Sequence, residues 1–200
     1  MIKFNNININ FEEKVLYKDF SIDFNKDSIN FIMGESGIGK STLLNYIKDE
    51  LILRGFNVSA VFQENRLIPW INIYKNLEFV IKDNFHKEIR KEKIDDILEK
   101  MNLSNCKKLY PHELSGGMRQ RINIARAMLY DGDVFIMDEP FKGLDKENKE
   151  NIIKVVREYF SEKRKTAIIV SHDLNEAREI GDKIILFKNN PVEKEIIKNN

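Results

Sequence analysis

The sequence predicts an α/β fold in which a mainly parallel sheet forms the core and helices cover it. Two observations carry that expectation. Short apolar runs at Ile29 to Met33, Val58 to Phe62, Val134 to Met137 and Ala167 to Val170 have the length of buried strands, and the last three are rich in β-branched or aromatic residues. Between them lie segments with apolar residues at helical spacing, such as Ile94, Ile97, Leu98 and Met101, or Ile152, Val155, Val156 and Tyr159. Strands that alternate with helices build parallel sheets.

The 200 residues suit a single domain spanning 1–200, with one sizeable core and no space for a second full domain. Charged residues nearly cancel to a net charge of +1, so no basic excess points to nucleic acid as a partner. Cys106 is the only cysteine, which excludes an internal disulfide and leaves a cysteine-based zinc site without its second thiol. The stretch Met1 to Asn6 lacks the apolar core of a signal peptide, and no apolar run is long enough to cross a bilayer. The chain is expected to be soluble by itself.

Taken in order, the first run leads into Gly34-Glu35-Ser36-Gly37-Ile38-Gly39-Lys40-Ser41, after which Thr42 to Ile47 opens a helix. Every position of the pattern G-x-x-x-x-G-K-[ST] is met, in the strand, loop and helix context the pattern requires. The glycines let backbone N–H groups face phosphate oxygens, the helix start adds partial positive charge, Lys40 reaches the β- and γ-phosphates, and the Ser41 hydroxyl is a ligand for Mg²⁺. The chain is therefore expected to bind a nucleoside triphosphate.

The second run ends at Gln63, the third at Asp138-Glu139 and the fourth at Ser171-His172-Asp173. Ligands of such sheets collect beyond the carboxyl ends of the strands, so four runs point at one site. Asp138 ends a buried strand as a carboxylate for the Mg²⁺ shell, and Glu139 is placed to act on water. Singly, Gln63 reads as a solvent-facing amide and His172 as a structural histidine; their convergence with Lys40 and Ser41 is what gives them a role.

One further string, Leu114-Ser115-Gly116-Gly117-Met118-Arg119-Gln120-Arg121, precedes Ile122, Ala125 and Leu129 at helical spacing. Ser115-Gly116-Gly117 is a helix entry with a capping hydroxyl and approachable backbone, a second phosphate-binding terminus. One nucleotide does not obviously need two.

The order and spacing of these motifs resemble the nucleotide-binding subunit of an ATP-binding-cassette (ABC) transporter over nearly the full chain. Gly34 to Ser41 resembles the Walker A loop, Gln63 the Q-loop, Leu114 to Met118 the family signature, and Val134 to Glu139 the Walker B strand with its catalytic glutamate. Gly143-Leu144-Asp145 resembles the D-loop and His172 the switch histidine. Phe11 lies where the family often carries an aromatic that stacks on adenine, with Tyr17 nearby. The run Val61 to Trp70, which includes Asn65 and Arg66-Leu67-Ile68-Pro69-Trp70, is similar to the nitrate/sulfonate/taurine branch of bacterial importers, as are Tyr110 to Glu113, Phe141 and Asn190-Pro191. Taken singly, Trp70 would be a packing residue.

The resemblance implies a P-loop NTPase of the ABC-ATPase fold: a mainly parallel sheet core, an antiparallel β-lobe and a helical lobe from about 72 to 109, inserted between the Q-loop and the signature. Between Lys40 and Gln63 the chain is shorter than typical relatives, so the β-lobe is expected to be trimmed. Lys142-Gly143 replaces a pair of small residues frequent before Leu-Asp in this branch.

It also implies that two subunits pair head to tail as a homodimer, each ATP lying between one Walker A loop and the partner's Ser115-Gly116-Gly117. Lys40, Glu139 and His172 would carry catalysis; Ser41, Gln63 and Asp138 would hold Mg²⁺; Phe11, Gly34 to Thr42, Gln63, Ser115 to Gly117 and Asp145 would contact ATP. The expected partners are transmembrane permease subunits, which hold the chain at the cytoplasmic face of the membrane, and indirectly an extracytoplasmic solute-binding protein. The solute would be a small anion, a sulfonate or a thiamine-precursor-like compound. The alternatives are an ABC ATPase that transmits force in cell division or lipoprotein release, and a soluble ABC scaffold protein.

Overall fold

Apolar and polar residues alternate along most of β1 (Ile2–Phe11) and over Phe20 to Phe24 of β2 (Lys14–Phe24), the pattern of strands with one buried face, and the two pair antiparallel into a sheet of their own. The alternation slips at Asn5-Asn6, where Asn6 takes a φ of 55° and the register shifts between Phe4 and Ile7. The slip restores Ile7 to the buried face. The computed structural model describes residues 1–11, 14–64, 66–189 and 191–198; Asn65, Asn190 and the side chain of Phe11 lie outside the described residues.

The remaining strands are β3 (Ile29–Met33), β4 (Val58–Val61), β5 (Val134–Asp138), β6 (Thr166–Val170), β7 (Lys183–Lys188) and β8 (Glu193–Lys198). They form one sheet in the order β4-β5-β6-β3-β7-β8, parallel except for the β7–β8 pair. β3, β5 and β6 are buried along their whole length, which is why they read as unbroken apolar runs. The four runs seen in the sequence are four of these strands, with the second ending at Val61, one residue short of Phe62.

The described residues also form six α-helices: α1 (Lys40–Leu53), α2 (Ile73–Glu78), α3 (Lys87–Lys100), α4 (Gly116–Tyr130), α5 (Lys146–Lys163) and α6 (Leu174–Ile180). Alternate residues of the central strands feed two cores. Ile32, Ile136, Ile168 and Val170 pack with α1 and the buried face of β1 and β2, through Leu43, Ile47, Phe4 and Phe24. Phe31, Phe135, Met137 and Ile169 pack on the opposite side with α3, α4 and α5, through Ile97, Leu98, Ile122, Ile152 and Val156. Burial of a residue of this size contributes about 1.5–3 kcal/mol.

Trp70 does not pack within the chain: it is 77% exposed, against the packing role its type alone predicts. No helix among the described residues is long and apolar enough to cross a membrane.

Register fixes what meets at the sheet's carboxyl edge. Asp138 of β5 pairs with Val170 of β6, and Val170 with Ile32 of β3. The residues that follow these three therefore leave the sheet side by side.

Candidate active site

A cavity of about 580 Å³ opens at that edge, lined by Ser36, Gly37, Gly39, Lys40, Ser41, Thr42, Gln63, Asp138, Glu139 and His172, together with Leu16, Lys142 and Val170. Its floor is the loop between β3 and α1, where close approach of neighbouring atoms requires glycine at two points. Gly39 has a φ of 106°, and a Cβ there would lie 3.2 Å from the Tyr17 ring; Gly34 has a φ of 151°, and a Cβ there would lie 2.8 Å from the Phe187 carbonyl oxygen. Gly39 also opens α1 without a side chain to cap the first-turn N–H groups. By contrast, Asn72, Ser115, Asp145 and Asp173 cap α2, α4, α5 and α6. An uncapped helix start in a glycine-lined loop is suited to an anion.

Lys40 is 8% exposed, and its Nζ donates to the carbonyl oxygens of Gly34 at 2.7 Å and Glu35 at 2.8 Å. Burial pushes its pKa down, while Glu139 and Asp138 pull it back up. The ammonium is thus a poorly solvated cation resting on neutral acceptors, and phosphate oxygens would be stronger ones.

Asp138 is buried, and its Oδ1 has no hydrogen-bond partner among the described residues. Burial raises its pKa and Glu139 adds to the rise, opposed by a hydrogen bond from Ser41 and by the charges of Lys40 and Lys142. Glu139 follows with a φ of 49°, a left-handed conformation that costs a non-glycine residue about 1 kcal/mol or more. The turn is held from two sides. The Glu139 N–H donates to the Val170 carbonyl at 2.9 Å, and Gln120 Nε2 of α4 donates to the Pro140 carbonyl at 2.9 Å.

His172 sits two residues beyond β6 with its Nδ1 within 2.9 Å of the Glu139 carboxylate. A network behind it fixes the turn: Ser171 Oγ donates to Glu176, the Asp173 N–H donates to Ser171 Oγ at 3.0 Å, and Lys149 of α5 bridges Asp173 at 2.7 Å and Glu176 at 2.6 Å. Burial pulls the Lys149 pKa down, but its hydrogen bonds to Asp173 and Glu176 carry it above the ordinary value; Lys149 in turn holds Asp173 below its own.

Of the residues singled out in the sequence, Lys40, Ser41, Thr42, Gln63, Asp138, Glu139 and His172 share this cavity, with Ser36, Gly37 and Gly39. Gly34, Glu35 and Ile38 shape the loop instead: Glu35 lends Lys40 its carbonyl, and Ile38 packs on the core beneath. Ser115, Gly116, Gly117 and Asp145 do not line the cavity; Ser115 and Asp145 cap their helices, accepting from the N–H of Met118 at 3.2 Å and of Asn148 at 3.1 Å. Tyr17 is fully buried, its ring near Phe20 and Phe187, and does not face the cavity. Leu16, Lys142 and Val170 line it without having been singled out for it. Val170 closes the fourth apolar run, but no local pattern marks Leu16 or Lys142.

A family model described as ABC transporter matches residues 17–142. The chain is 35% identical over 174 residues to the aliphatic sulfonates import ATP-binding protein SsuB of Bacillus subtilis (strain 168), covering 80% of this chain and 68% of that protein. It is 31% identical over 210 aligned positions to the taurine import ATP-binding protein TauB of Roseobacter denitrificans, covering 95% of this chain and 78% of the relative. Among solved structures, a dimeric ATP-binding cassette in a post-hydrolysis state, bound to ADP and Pi, matches with a TM-score of 0.87 at 29% identity, covering 100% of this chain and 99% of that one. Sequence, fold and the cavity's phosphate loop agree: the chain belongs to the ABC transporter family, as an ATP-binding-cassette ATPase.

Proposed function

We propose that the chain is the ATP-hydrolysing subunit of a bacterial-type ABC importer for a small anion, a sulfonate or a thiamine-precursor-like solute. The observation that carries this reading is the convergence of Lys40, Ser41, Gln63, Asp138, Glu139 and His172 on one cavity. Lys40 moves from the carbonyls of Gly34 and Glu35 to the phosphate oxygens and offsets charge on the transferred group. Glu139 polarises the attacking water; His172, bonded to it, orients the carboxylate and contacts the γ-phosphate.

Mg²⁺ fits the donors present. Asp138 Oδ1 is buried without a partner, the Ser41 hydroxyl bonds the same carboxylate, and Gln63 lines the same cavity, all hard oxygen donors. Among the described residues no group of three or more His, Cys, Asp and Glu is placed to hold a metal ion, which suits an ion whose remaining ligands are phosphates and waters. When bound, it neutralises phosphate charge.

Ser115, Gly116 and Gly117 serve a second subunit's nucleotide, so the working form is a homodimer with Asp145 at the contact. A Cβ added at Gly116 would meet nothing within 4 Å, so the chain itself gives no steric reason for that glycine; a partner's phosphate does. The helical lobe, from about 72 to 109, receives the permease. Its two segments are joined by the Ile73 N–H to Leu109 carbonyl bond at 2.9 Å and the Tyr74 N–H to Lys107 carbonyl bond at 3.0 Å. With the residues beside them they present Trp70, Phe79 and Tyr110 to solvent, apolar area suited to a membrane subunit's helix. The chain works at the cytoplasmic face of the membrane, and an extracytoplasmic binding protein delivers the solute.

The test is to isolate the membrane complex through a tag on this chain, reconstitute it in vesicles and assay ATP hydrolysis with uptake of nitrate, taurine, alkanesulfonates and thiamine-precursor pyrimidines. Uptake coupled to hydrolysis supports the reading. Hydrolysis with none of these solutes moved overturns the solute assignment and favours force transmission.

A further inference from the structure

Lys142 contributes a second cation to the cavity wall besides Lys40. It lines the cavity together with Glu139 and His172. Its side chain is exposed, and no hydrogen bond or ion pair engages its ammonium among the described residues. Lys40, the other cavity cation, is already held by two carbonyls.

The backbone that carries Lys142 is fixed. Its N–H donates to the Glu139 carbonyl at 3.2 Å, the neighbouring Phe141 is 2% exposed in the core, and Gln120 clamps Pro140 from α4. On its far side the turn abuts the signature helix, where a Cβ at Gly117 would lie 3.1 Å from the Gly143 carbonyl oxygen. A mobile lysine on this mounted turn has its anchor set and its head group free to reach into the cavity.

The charges around it say what it would meet. Asp138 and Glu139 point two carboxylates at the region beyond the phosphate loop, and a terminal phosphate entering there is repelled by both. From this placement we infer that Lys142 is a second phosphate-reading cation, whose Nζ pairs with the terminal phosphate of the bound nucleotide and biases the site toward triphosphate over diphosphate. The inference rests on the nucleotide reading above and adds a specificity residue to it.

The experiment measures the affinities of the parent, Lys142→Met and Lys142→Arg for ADP and for the non-hydrolysable triphosphate analogue AMP-PNP, each with Mg²⁺, by titration calorimetry. Thermal melts check that the variants are folded. Methionine keeps most of the side chain's length and removes the charge; arginine keeps the charge. Lys142→Met is expected to lose about tenfold in AMP-PNP affinity with little change for ADP, the size of one charge-assisted contact, while Lys142→Arg retains the parent's ratio. Equal weakening of both ligands, or an unchanged ratio in Lys142→Met, overturns the inference, because the lysine then only offsets Asp138 and Glu139. A parent that binds neither nucleotide defeats the nucleotide reading itself, a different result.

Discussion

His172 and Glu139 meet across the ends of β6 and β5, with Nδ1 of the ring 2.9 Å from Oε1 and 2.8 Å from Oε2 of the carboxylate. The histidine side chain is 64% exposed and the glutamate's 13%. The imidazole thus covers the carboxylate on its open side, and a ligand that draws His172 toward itself uncovers Glu139 for water.

Glu139→Gln is expected to keep nucleotide affinity and lose hydrolysis by roughly 10²-fold or more, the usual scale for a group that activates water. The amide preserves shape while removing the charge. Phosphate release at saturating Mg-ATP measures it, and hydrolysis at the parent's rate would remove Glu139 from the mechanism.

Ser115→Arg should leave ATP binding to one subunit intact and block ATP-driven dimerisation, because Ser115 caps α4 away from the chain's own cavity. Mixing it with Lys40→Ala should restore about one composite site per dimer, each subunit supplying what the other lacks. Light scattering with and without ATP separates the cases. Normal dimerisation of Ser115→Arg alone would favour a self-contained site.

Asp138→Asn is expected to raise the melting temperature of the nucleotide-free protein at pH 7. The sign follows from burial: the folded-state pKa lies above the ordinary 3.8, so between the two values the folded chain holds the extra proton. Stability therefore falls as pH rises through that window, and the parent bears the loss in full above it. The difference between variant and parent should shrink as pH is lowered toward 3.8. With Mg-ATP the order should reverse, since only the parent offers the carboxylate. A neutral-pH melting temperature below the parent's, without nucleotide, would contradict the argument.

Tyr17→Phe is expected to stabilise the chain by about 1 kcal/mol, or a few degrees in melting temperature for a domain of this size. The hydroxyl is buried beneath Gly39 with no partner among the described residues, and burial pushes its pKa well up. Thermal denaturation decides, and a clear destabilisation would mean that the hydroxyl is bonded in solution.

Much of this site was legible because it lies where chain and chemistry coincide. Parallel strands buried on both faces leave unbroken apolar runs, and Gln63, Asp138 and His172 stand at a strand end or within two residues of one. The edge pair was harder: β8 reads Glu-Lys-Glu-Ile-Ile-Lys, polar enough for a loop, and becomes a strand through pairing with β7. The support behind the site was not legible at all. Lys149 reaches Asp173 and Glu176 across a separation that no local pattern encodes, and Gln120 holds Pro140 by the same kind of long-range contact. Residue type misled at Trp70, which is 77% exposed although its side chain is of the kind that usually packs.

β3 is synthesised early and flanked late. Its two neighbours are β6 and β7, so Phe31 pairs with Ile169 on one side and Ile184 on the other. At the pace of a ribosome, about 5–20 residues per second, the strand that carries the phosphate loop waits on the order of ten seconds for its partners. During that time its backbone groups are unpaired and its apolar residues are open to chaperones. A nascent chain halted before Lys183 contains every residue of the loop but lacks the strand that fixes one side of it.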